Sequence, residues 1–158
     1  MIAMAQHSRF KIAALAVLVL LLTTVAPAAE QKSVEALKAE AEKAGGGHQA
    51  RLYAELAQQL VETADQQFTD GQVEAAQASV QDVLKYAALA RDISIKTRGK
   101  MKETEIHLRN AERRLDAVRR TLSVDDRPPL EDAGKKLERF RQDLLNAMFA
   151  DPKKEKKP

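Results

Sequence analysis

"SIKTRGKMKETE", residues Ser94–Glu105, places one glycine and three hydroxyl side chains inside a long run of helix formers. A helix that ends at Gly99 lets two shorter helices fold back on each other. A helix that runs through Gly99 makes a rod. With Val73 at heptad position a, the later a positions are Val80, Ala87, Ser94, Met101, Leu108, Leu115 and Leu122. The d positions are Ala76, Val83, Ala90, Thr97, Thr104, Ala111 and Val118, and Gly99 falls at f, away from the seam. A loop normally shifts the phase of such a pattern. The unbroken phase therefore predicts one continuous helix over about 73–122, about 75 Å long at 1.5 Å per residue. A glycine inside it costs about 1 kcal/mol against alanine. The alternative is an elbow at Arg98-Gly99, where Ser94, Thr97 and Thr104 weaken the seam; that elbow would give a compact four-helix bundle.

Outward from this stretch, the flanking segments are also helical. Tyr53, Ala57, Leu60, Val61, Ala64 and Phe68 form one stripe at helical spacing and predict a helix over about 49–69. "TDGQ" (Thr69–Gln72) is a tight turn with Gly71 as a helix stop, so the next helix runs back antiparallel. Pro128 and Pro129 exclude a helix interior but suit a first turn, with Glu131 and Asp132 near its positive end. Leu130, Ala133, Leu137, Phe140, Leu144 and Ala147 then predict a last helix over about 129–149. Upstream, Ser33 can cap a short helix whose apolar face is Val34, Leu37, Ala41 and Ala44; Gly45, Gly46 and Gly47 end it. Alternating strand patterns are absent. The chain reads as all-α: a helical bundle or elongated antiparallel coiled coil of three main helices plus a short N-terminal one.

The first residues carry a targeting pattern. Arg9 and Lys11 precede an apolar run, Ile12–Val25, followed by Ala26, Pro27 and Ala28. That order predicts an export signal over 1–28, cleaved after Ala28, since the run is short for a membrane span. An uncleaved anchor is the rival. The remaining organisation is a helical arm and glycine linker over 29–47, a helical domain over 48–150 and a charged, proline-bounded tail over 151–158. The expected location is periplasmic or secreted, with no transmembrane segment after cleavage.

The absence of cysteine removes disulfides, thiolate metal sites and thiol nucleophiles. His48 and His107 are the two histidines beyond the signal, and nothing in their positions places them on facing seams with a methionine. No nucleophile elbow, phosphate loop or catalytic triad pattern occurs. No cofactor, no metal and no enzymatic activity are expected. Charge is divided along the chain: Glu30–Ala90 is acidic and Arg91–Pro158 is basic. Arg109, Arg113, Arg114, Arg119 and Arg120 form the candidate partner-contact patch, although acids interleave them in pairs such as Glu105–Arg109 and Asp116–Arg120. A solvated, salt-bridged helix surface is the plainer account of the same residues. Nucleic acid does not fit an exported chain without stacking aromatics.

"ADQQFTDGQVEAAQASVQDVLKYA" (Ala64–Ala87) resembles one tetratricopeptide hairpin, with Gly71 at the turn and Ala76 and Val80 at small and bulky positions. The likeness implies a helical hairpin and covers one repeat, without that family's aromatic turn residue or following proline. In size, export pattern and basic character the chain also resembles small helical periplasmic chaperones. The functional expectation is an exported, non-enzymatic interaction or scaffold protein of the bacterial envelope. It would bind a protein partner, an acidic envelope component or itself through apolar seams that include Met101, Leu108, Leu115, Val118 and Leu122. The alternative is a chaperone-like binder of unfolded clients.

Overall fold

Arg98 and Lys100 both adopt left-handed backbone, at φ 50° and 56°, and there the long helical pattern breaks. The computed structural model describes residues 32–150. It contains α1 (Val34–Lys43), α2 (Gly46–Thr69), α3 (Val73–Thr97), α4 (Met101–Thr121), a short 3-10 turn (Val124–Asp126) and α5 (Arg127–Phe149). The single helix expected over 73–122 is therefore two helices, and the elbow at Arg98-Gly99 is correct.

The break is built from three interactions. The Arg98 N–H donates to the Ile95 carbonyl (3.2 Å) and the Gly99 N–H to the Ser94 carbonyl (3.3 Å), which is the paired bonding of a Schellman stop. The left-handed residue of that motif is usually glycine, but here it is Arg98. Gly99 has a different task. A Cβ on Gly47 would lie 2.6 Å from the Gly99 carbonyl carbon, and a Cβ on Gly99 would lie 3.0 Å from the Gly47 Cα. The start of α2 and the elbow thus touch backbone to backbone, which only glycines allow. The buried Ser94 hydroxyl closes the corner by donating to the Gly99 carbonyl at 2.7 Å.

Energetics explain why phase did not decide the outcome. Two non-glycine residues in left-handed backbone cost about 1–2 kcal/mol each. Folding back at residue 99 takes Leu108, Ala111, Leu115 and Val118 out of water against the same chain. Each leucine so buried contributes about 1.5–3 kcal/mol, so burial wins. The heptad register itself is correct on both sides of the corner. Val80, Val83, Ala87, Ala90 and Ser94 are buried on α3, as are Thr104, Leu108, Ala111, Leu115 and Val118 on α4. Thr97, a d position in the corner, is exposed.

The helices alternate in direction. His107 faces Gln58 and Arg114 faces Asp65, so α4 runs parallel to α2. Arg119 reaches Glu131 and Arg141 reaches Glu112, so α5 runs antiparallel to α4. Arg91 meets Asp143 and Arg98 meets the Ala147 carbonyl, which sets α5 beside α3. Helix α2 packs against α1, α3 and α4, whereas α3 and α4 touch each other sparingly although they adjoin in sequence. This central place explains why α2 buries Ala50, Leu52, Ala54 and Leu56 in addition to its expected stripe. Tyr53 stacks on Tyr86 with ring centroids 5.7 Å apart, joining α2 to α3.

The ends follow ordinary capping rules. The Ser33 hydroxyl accepts from the Ala36 N–H (3.2 Å), as its position predicted. Leu37 and Ala41 of α1 are fully buried. Helix α2 begins three residues earlier than expected, because Gly46 takes φ +60° and turns the chain directly into it. Gly71 takes φ +74° in a second Schellman stop, with its N–H on the Phe68 carbonyl (3.1 Å) and the Gln72 N–H on the Gln67 carbonyl (2.8 Å). Among the described residues no helix is long and apolar enough to cross a membrane. The expected export signal (1–28) and the expected charged tail (151–158) lie outside the described residues.

Candidate interaction face

Helix α4 buries one face completely, which fixes what the opposite face must present. At 3.6 residues per turn, Lys102, Arg109, Arg113 and Arg120 fall within about 40° of one another, opposite Leu108, Ala111 and Leu115. Lys102, Arg113 and Arg120 are exposed and Arg109 is partly so. The outer side of α4 is therefore a ridge of cations, with spacings of seven, four and seven residues.

The five arginines expected as one patch do not share this ridge. Arg109, Arg113 and Arg120 lie on it. Arg114 turns towards α2 and meets Asp65 at 2.6 Å. Arg119 turns towards α5, bonded to Asp116 (2.7 Å) and Glu131 (3.1 Å). Two of the five thus join helices, and three point outward. Lys102 extends the ridge beyond the expected patch, which covers only the arginine-rich C-terminal half of α4. The signal was available in the seven-residue step from Lys102 to Arg109.

Along the ridge the charges are matched unevenly. Asp116 engages both Arg119 and Arg120 (2.5 Å). The Arg119 guanidinium, followed by Arg120, holds the Asp116 carboxyl below its ordinary value. Arg109 lies 3.7 Å from Glu105, too long for a good hydrogen bond. Among the described residues Arg113 makes no ion pair within 4.0 Å.

Beside the ridge, Arg141 of α5 clamps α4. Its Nε and Nη2 donate to Glu105 at 3.1 and 3.0 Å, and its Nη1 donates to Glu112. Burial opposes the Arg141 charge, but the Glu112 and Glu105 carboxylates outweigh it and hold the guanidinium above its ordinary value. Glu105 is only 6% exposed, an unusual place for a carboxylate unless it is paired. Next to the clamp, a groove of about 330 Å³ runs between α4 and α5, with Glu112, Asp116, Glu131 and Glu138 facing Arg119 and Lys135. Its walls are mostly charged side chains, several already bonded to one another, with Leu130 and Gly134 between them. No group of three or more acidic or histidine residues with metal-holding geometry occurs among the described residues.

His107 lies on the inner flank of α4, with Nδ1 3.0 Å from Gln58 Oε1; the Nδ1–H tautomer donates there. Burial lowers its pKa from 6.5, while Glu55 opposes the shift and Arg51 adds to it. The unfolded chain therefore binds this proton more readily than the folded one. Stability contributed by neutral His107 is present above pH 6.5 and is lost as pH falls through that value towards the lower folded pKa. Urea titrations from pH 8 to 5 should show this loss, and His107→Gln should flatten that part of the profile.

The α2–α3 hairpin is present as the tetratricopeptide-like stretch implied. No protein-family model, no curated protein and no solved structure matches this chain.

Proposed function

We propose that this chain is an exported, non-enzymatic helical interaction protein of the bacterial envelope, and that it contacts an acidic protein partner through the outer ridge of α4. Export rests on the basic, apolar and small-residue order of residues 9–28. The single observation that carries the contact is the ridge itself. Lys102, Arg109, Arg113 and Arg120 line up opposite the buried seam, and among the described residues Arg113 stands exposed with no ion pair within 4.0 Å. The seam residues Leu108, Leu115 and Val118 are buried within the bundle, with Met101 and Leu122 packed against the core, so the closed bundle offers its partner charge rather than an apolar groove. Such a ridge steers an acidic partner and gives binding that weakens with salt.

A photo-crosslinking residue at 113 should capture one acidic envelope protein, and the same residue at Lys136 on α5 should not. The triple variant Arg109→Glu, Arg113→Glu, Arg120→Glu should lose that partner by more than about tenfold in affinity, since three charge reversals each cost on the order of 1 kcal/mol or more. Its helicity by circular dichroism should remain, because none of the three lies in the core. Unchanged capture by a folded triple variant would overturn the assignment.

A further inference from the structure

We infer that the elbow is a domain-swapping hinge, and that the second occupant of the α2–α4 and α3–α5 interfaces is another copy of this chain. Four observations meet at residues 94–104. First, the heptad seam keeps one phase from Val73 to Leu122, so straightening the elbow yields a single helix of about 75 Å with every seam residue on one face. Second, the closed corner is strained: Arg98 and Lys100 both occupy left-handed backbone without being glycine. Third, the buried hydroxyl of Thr104, one turn past the corner, has no hydrogen-bond partner among the described residues. Fourth, the corner closes only because Gly47 and Gly99 touch backbone to backbone.

The packing divides at the same place. Helices α2 and α3 form one antiparallel hairpin, and α4 and α5 form the other. Opening the elbow leaves both hairpins intact and separates α2 from α4, α3 from α5 and the sparing contact of α3 with α4. A second open copy restores both interfaces with the same residues, including Arg114 on Asp65 and Arg91 on Asp143, each now between chains. The dimer therefore keeps the two helix interfaces, gives up the few bonds of the corner and relieves its strain, which is the balance that makes swapping inexpensive. The inference does not depend on the ridge of α4, which stays exposed in both forms.

The test uses the unit Lys32–Pro158, which holds the whole core. Gly99→Ala improves helix propensity in the straight form and crowds Gly47 in the closed one. It should raise the dimer fraction more than about tenfold after refolding, since two chains gain together. Light scattering should give the dimer mass, and small-angle scattering should give an elongated particle. A folded Gly99→Ala monomer would overturn the inference. Because that variant can also fail to fold, the wild-type hinge is tested separately. Chains carrying only Gln58→Cys are refolded at high concentration with chains carrying only His107→Cys, and a short bis-maleimide is added. These positions touch across α2 and α4, and the chain has no other cysteine. A swapped dimer gives a cross-linked heterodimer. Its absence from folded material would overturn the inference, whatever the fate of Gly99→Ala.

Discussion

Leu108→Ala is expected to lower the unfolding free energy by about 3 kcal/mol, measured by urea denaturation followed by circular dichroism. Leu108 is fully buried on α4, and α4 packs between α2 and α5. Truncation removes transfer energy and leaves a cavity, which together cost about 2–5 kcal/mol for a buried leucine. The same residue belongs to the seam expected to bind a partner, so the variant separates two roles. A residue reserved for a partner groove would be truncated at a cost well below 1 kcal/mol to the isolated chain. A core residue costs the full amount with no partner present. Leu115, also fully buried, should behave alike.

Arg141→Ala is expected to destabilise the bundle by about 2 kcal/mol. Arg141 supplies both of the short bonds to Glu105, whose side chain is only 8% exposed. Removing the guanidinium leaves that carboxylate buried with Arg109 at 3.7 Å as its nearest cation. Breaking a fully buried pair costs about 3–5 kcal/mol; Arg141 itself is partly open to water, so the loss falls below that range, at about 2 kcal/mol. The double variant Glu105→Gln, Arg141→Met should recover much of the loss, because the buried carboxylate is gone and Glu112, which also loses Arg141, is partly open to water. If the double variant is no more stable than Arg141→Ala, the cost comes from lost packing rather than from the stranded carboxylate.

Much of the helix inventory is written in local spacing. The stripe from Tyr53 to Phe68, the stop at Gly71, the Ser33 cap and the proline-led start of α5 each depend on residues within a few positions of one another. Apart from Thr97 in the corner, the heptad register also held, since the positions predicted to face a seam face the core on both sides of the elbow. Less of the candidate face was legible. The arginines were visible as a cluster, but their division was not. Which of them joins helices depends on Asp65 and Glu131, residues 49 and 12 positions away, and hence on how α2 and α5 lie against α4.

The sequence by itself determined that this chain is helical, where most helices stop and which side of each is apolar, because those properties arise from neighbours three or four residues apart. Only the tertiary structure decided that the chain turns at Arg98-Gly99 and that the long seam closes on itself. The physical reason is a contact between glycines 52 positions apart, together with the burial of α4 against α2 and α5, which outweighs the strain of two left-handed residues.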